Sequence, residues 1–172
     1  MKPVMLDKVI IDNLKASPIG KKARRFLRER MKIQLEDLKL DPMTARIEQV
    51  LQVYSNRLQG NILDVGCYTG FLYHYLGKPN GYTGIDIWPD AIDVAREFAP
   101  EADFRVADAL KFSGWFDSLW CSQIIWGENT KEAVEKICRL AKCSVFVLTN
   151  QDANRITGRI EKLGSMNVLI HD

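Results

Sequence analysis

No stretch of this 172-residue chain is apolar for long enough to cross a membrane. Its opening, MKPVMLDKVIIDNL, is apolar but broken by Asp7 and Asp12, and it lacks the apolar run and small-residue cleavage site of a signal peptide. Histidine occurs only twice, as His74 and His171, so neither a Ser-His-Asp arrangement nor a metal cluster can be assembled, and no metal is expected. The four cysteines, Cys67, Cys121, Cys138 and Cys143, show no paired framework, which indicates a reduced, cytoplasmic setting without disulfides. Neither G-x-G-x-x-G nor G-x-x-x-x-G-K-[ST] occurs, which excludes the dinucleotide fingerprint and the phosphate-cradling loop of the nucleotide triphosphatases. Charge of one sign is also scarce overall, the net charge being +2.

What is present is an ordinary globular mixture, 47% apolar and 27% charged, long enough for one domain with a sizeable core and a short appendage. The basic residues are concentrated. KKARRFLRERMK, residues 21–32, holds seven basic residues against one acid, so the rest of the chain is acidic on balance. That segment is either a solvated helix face or a phosphate-contacting surface that would make RNA a partner. Its single aromatic, Phe26, gives little support for stacking on single strands.

Residues 1–59 read as helical. Leu6, Val9, Ile10 and Leu14 share one helical face, and Ser17-Pro18 opens a second helix through the basic segment. Asp41-Pro42 opens a third, where Met43, Ile47, Val50, Leu51, Tyr54 and Leu58 recur at helical spacing and Gly60 follows as a cap. From residue 60 the pattern changes. Strands are expected at 61–65, 82–87, 103–107, 116–124, 144–148 and 166–170, with helices at 69–76, 89–98, 130–141 and 154–163 between them. Such alternation predicts βαβ units: a Rossmann-like, doubly wound α/β fold, its mostly parallel sheet of about six strands covered by helices on both faces.

The turn after the first strand carries the chemistry. In NILDVGCYTGFL, Asp64, Gly66 and Gly70 stand where a buried strand ends, at the edge where open parallel sheets bind ligands. Glycines there let a ligand approach the backbone, and free amides at a helix start would favour an anionic group.

ILDVGCYTG resembles the first motif of the class I S-adenosylmethionine-dependent methyltransferases, an acid followed by G-x-G-x-G, with Tyr68 at the middle position. Further landmarks follow in order. YTGIDIWPDAI puts Asp86 twenty residues after Gly66, FRVADAL puts Asp108 after the third strand, and FDSLWCSQIIW is similar to the family's fourth strand. The resemblance covers Asn61 to about Asn150. It implies S-adenosylmethionine as cofactor, held by Asp64, Gly66, Cys67, Tyr68, Gly70, Asp86, Ile87, Asp108, Ala109 and Cys121. Asp86 would accept hydrogen bonds from the ribose hydroxyls, Asp108 would meet the adenine amino group, and Trp88 would lie over the adenine face. Cys67 would contribute its backbone.

No catalytic residue is assigned. The D/N-P-P-Y/F/W tetrapeptide of many amine methylators is replaced by Cys121-Ser122-Gln123-Ile124, and Cys121 lacks the preceding proline of the cysteine-nucleophile RNA methylators. Ile125-Trp126-Gly127 stands where a Glu-His pair often ends the fourth motif. The resemblance therefore implies a methyltransferase with an unassigned acceptor, a small molecule placed ahead of RNA. The rivals are a non-catalytic S-adenosylmethionine-binding or scaffold subunit needing a partner, and a nucleic-acid-binding protein on the same fold. With only MNVLI left after the helix expected at 154–163, the sheet would end short, its edge covered by the N-terminal helices, a homodimer partner or another subunit.

Overall fold

Asn61 closes a helical approach and begins a sheet, and the computed structural model describes the chain on both sides of it, over residues 42–122 and 129–172. The helices expected at 6–14 and 17–32, the basic segment and Ile125-Trp126-Gly127 lie outside the described residues.

Helix α1 (Pro42–Tyr54) starts on a proline whose missing N–H and fixed φ suit a first helical turn, and a 3-10 turn follows at Ser55–Arg57. The remaining elements are β1 (Ile62–Val65), α2 (Phe71–Tyr75), β2 (Tyr82–Asp86), α3 (Pro89–Phe98), β3 (Asp103–Val106), β4 (Phe116–Ser122), α4 (Thr130–Cys138), β5 (Ala141–Leu148), α5 (Asn150–Ala153), β6 (Ile160–Leu163) and β7 (Met166–His171). The sheet order is β3-β2-β1-β4-β5-β7-β6. β1 to β5 are mutually parallel, and β7 runs antiparallel to both β5 and β6. This is the expected doubly wound α/β architecture, and the chain order reverses between β1 and β4. That reversal opens the crevice in which such sheets bind ligands.

The count of about six strands is corrected to seven. Residues 154–163, expected to be a helix, contain a turn and then the edge strand β6, joined to β7 by the two-residue loop Gly164-Ser165. Gly164 holds φ +59, the left-handed geometry that tight hairpin loops require. The shortened sheet is therefore not found, because the hairpin extends it beyond β5.

Two apolar layers flank the sheet. On one face Ile62, Tyr82, Phe104, Val145, Val147 and Val168 pack with Val50, Leu51 and Tyr54 of α1 and with Ile92 and Ala95 of α3. On the other, Leu63, Val65, Ile85, Leu119, Phe146 and Leu148 pack with Val134, Ile137 and Cys138 of α4. β1 is buried throughout, as a central parallel strand covered on both faces must be. At the far edge α1 secures the hairpin, the Tyr54 hydroxyl donating to Glu161 Oε2 at 2.6 Å.

Among the described residues, no helix is long and apolar enough to cross a membrane. All four cysteines are free thiols, and Cys67, Cys121 and Cys138 are buried.

Candidate functional site

The loop between β1 and α2 is drawn tightly onto β2. The N–H groups of Gly66 and Cys67 both donate to the Ile85 carbonyl, at 2.8 and 3.0 Å, and Gly70 N–H donates to the Cys67 carbonyl at 2.9 Å. The Tyr68 N–H donates to Asp86 Oδ2 at 3.0 Å. These four amides are thus committed within the protein. The glycines are used as expected of a tight loop. Gly66 holds φ +74 and Gly70 φ +83, and a Cβ on Gly70 would lie 2.7 Å from the Phe104 ring. Tyr68, in the middle, shares the left-handed geometry at φ +52, which costs a residue with a Cβ about 1 kcal/mol or more.

Asp86 ends β2 and gathers this loop. Its Oδ1 accepts the Trp88 N–H at 3.0 Å while Oδ2 accepts that of Tyr68. Each carboxylate oxygen carries a second acceptor position, so the group is oriented by the protein and keeps capacity for two more donors. Around it stand Ile87, 63% exposed, and Trp88, 43% exposed, with the Trp88 ring 5.9 Å from that of Tyr68. Trp88 holds extended backbone immediately before Pro89, the first residue of α3.

Asp108 lies in the turn after β3, beside Asp86 in space, since Ala107 N–H donates to the Asp86 carbonyl at 2.9 Å. Its Oδ1 accepts the Leu110 N–H at 2.9 Å, and Lys111 Nζ lies 3.3 Å from Oδ2. The Leu110 amide, followed by Lys111, holds its carboxyl below the usual carboxylate range. Ala109, next in the turn, packs against the α4-side core.

Asp64 behaves differently from Asp86. It is 3% exposed, and the Tyr82 hydroxyl donates to its Oδ2 at 2.5 Å. Burial pushes its carboxyl up to about 7, the Tyr82 hydrogen bond opposing that and the charge of Asp86 adding to it. Asp64 is therefore a core carboxyl beneath the loop, and its partner is a side chain on β2. Nothing in the local sequence around Asp64 points to Tyr82 as its partner. The parallel register supplies the signal: Ile62 pairs with Tyr82, and Asp64 with Gly84, so a tyrosine two pairs below, on the same face, reaches up the strand toward a residue with no side chain.

Two cysteines placed at the site are core groups. The Cys67 thiol is buried and its pKa is raised by burial. Cys121, paired with Val65 in register, lies among the residues packed on α4, and burial raises its pKa far above that of a free thiol. The structure thus brings Gly66, Tyr68, Gly70, Asp86, Ile87, Asp108 and Ala109 to one end of the sheet, while the side chains of Asp64, Cys67 and Cys121 are turned into the interior.

A second buried carboxylate was not anticipated. Asp152 in α5, 1% exposed, accepts the hydroxyls of Thr130 at 2.8 Å and Thr149 at 2.6 Å. It ties the start of α4 to the turn after β5 at the same end of the sheet as Asp86.

A Rossmann-like sheet of this order, with a glycine loop after β1 and an acid at the end of β2, defines the class I methyltransferase architecture. Residues 62–144 match the family described as methyltransferase domain. Over that stretch, just under half of the chain, the sequence is similar to methyltransferase domains. Solved structures of this fold include magnesium protoporphyrin IX methyltransferase from Synechocystis with S-adenosylmethionine bound. It is 16% identical, with a TM-score of 0.61 over 99% of this chain and 98% of that one. The N-methyltransferase NodS from Bradyrhizobium japonicum, with S-adenosylhomocysteine, is 18% identical, with a TM-score of 0.58 over 79% of this chain and 77% of that one. A Pyrococcus abyssi tRNA (uracil-54, C5)-methyltransferase is 20% identical, with a TM-score of 0.55 over 74% of this chain but only 38% of that one. No relative is found among the curated proteins.

Proposed function

We propose that this methyltransferase holds S-adenosylmethionine across the carboxyl ends of β1, β2 and β3 and transfers its methyl group to a small-molecule acceptor in the cytoplasm. The observation that carries the reading is Asp86, whose two oxygens are fixed by the Tyr68 and Trp88 amides and keep acceptor capacity for a vicinal diol. Ile87 and Trp88 offer exposed apolar surface beside it for the adenine, and Asp108 stands nearby in the turn after β3. The loop of Gly66 to Gly70 faces the amino-acid end of the ligand.

The bound sulfonium supplies the electrophilic methyl group, so the residues of the protein orient the ligand and exclude water. A base is needed only where the acceptor must lose a proton.

A small acceptor is favoured because the porphyrin methyltransferase overlays end to end on this chain, whereas most of the tRNA enzyme lies outside the shared fold. The free thiols suit a reducing compartment. Incubation with methyl-labelled cofactor and a cell extract tests the acceptor class. Label in the low-molecular-weight fraction is expected; label in RNA would overturn that choice, and tight cofactor binding with no transfer would point to a scaffold.

A further inference from the structure

The loop after β1 uses glycine at φ +74 and +83 where its path turns left-handed, yet at φ +52 it carries Tyr68, a residue disfavoured there. Backbone strain of this kind is a pointer to function at the residue that bears it. The roots of two rings are tied to one carboxylate: the Tyr68 and Trp88 amides bind opposite oxygens of Asp86, both at 3.0 Å. The rings themselves lie 5.9 Å apart at an interplanar angle of 59°. The two hydrogen bonds fix the backbone from which both rings project.

We infer that Tyr68 is a specificity-determining residue of the adenosyl site, forming with Trp88 an aromatic wall that packs on the nucleoside whose diol Asp86 accepts. The inference rests on the cofactor placement proposed above. A sugar carrying a flat heterocycle presents hydroxyls on one edge and apolar faces elsewhere, and the Asp86, Tyr68 and Trp88 group offers the complementary pattern. A loop with glycine at position 68 would contact the same ligand through backbone alone. Here the ring adds apolar area and stacking, the contribution that aromatic platforms make to nucleobase binding.

Calorimetric titration of S-adenosylhomocysteine into the native chain, Tyr68→Asn, Tyr68→Phe, Trp88→Ala and Asp86→Ala tests this. Asparagine tolerates left-handed φ, so Tyr68→Asn keeps the loop and removes the ring. Affinity is expected to fall about tenfold or more in Tyr68→Asn and in Trp88→Ala, about 1.4 kcal/mol per factor of ten. Tyr68→Phe is expected to restore native affinity, which a loss of loop order would not explain. Native affinity in Tyr68→Asn together with weakened binding in Asp86→Ala would overturn the inference alone. Native affinity in Asp86→Ala, or no binding by the native chain, would overturn the cofactor placement and this inference with it.

Discussion

The hydroxyl of Tyr82 donates to Asp64 Oδ2 inside a sheet face where the Tyr82 ring lies 5.1 Å from that of Tyr73 and 5.7 Å from that of Phe104. A carboxyl in such surroundings binds its proton more tightly folded than unfolded, with its folded pKa at about 7 against an ordinary 3.8. Below the ordinary value both states are protonated and the group is neutral to stability. As pH rises through the window from about 4 to about 7, the unfolded chain ionises first and stability falls, by about 1.4 kcal/mol per unit. Above that window the loss is complete. Urea unfolding followed across this range is expected to show the decline in the native protein and to lose most of it in Asp64→Asn.

Tyr82→Phe removes a side-chain donor that offsets the burial of Asp64. It is expected to destabilise by about 1–3 kcal/mol, and more at pH 8 than at pH 5, because the unpaired group is costlier when charged. Equal destabilisation at both pH values would count against the pairing.

Asp64, Gly84 and Phe104 stand in one row across β1, β2 and β3. A Cβ at Gly84 would lie 2.7 Å from the Phe104 ring and 2.9 Å from Cys67 Sγ. Gly84→Ala is therefore expected to cost about 1–3 kcal/mol by overpacking. Phe104→Leu in the same chain should recover part of that loss, a coupling that a double-mutant cycle in thermal unfolding would measure.

Asp152 offers a further test. Its loss in Asp152→Ala leaves the hydroxyl of Thr130, a fully buried residue, without this acceptor and releases the start of α4 from the turn after β5. A destabilisation of about 2–3 kcal/mol is expected in chemical denaturation.

Much of this was legible in the sequence because local pattern and fold agree. The apolar run of β1, the glycines of its loop and the acid ending β2 each carry their meaning within a few residues, and α3, expected at 89–98, spans Pro89–Phe98. The failure at 154–163 has a physical cause. Ile156, Ile160 and Leu163 fall at helical spacing, but Gly158 interrupts them, and the two-residue loop Gly164-Ser165 marks a hairpin. β6 is an edge strand, half-buried over most of its length, so it lacks the apolar alternation that would reveal it. The roles of Tyr82 and Asp152 were illegible for another reason. Each joins elements that are distant along the chain, and only the assembled register brings them together.

Titration of S-adenosylhomocysteine into the native chain and into Asp86→Ala is the decisive experiment for the placement of the cofactor at Asp86. Measurable binding by the native chain is expected, with a loss of about 2–3 kcal/mol on removing the carboxylate, the cost of a charged hydrogen-bond acceptor. Undiminished affinity in Asp86→Ala would contradict that placement.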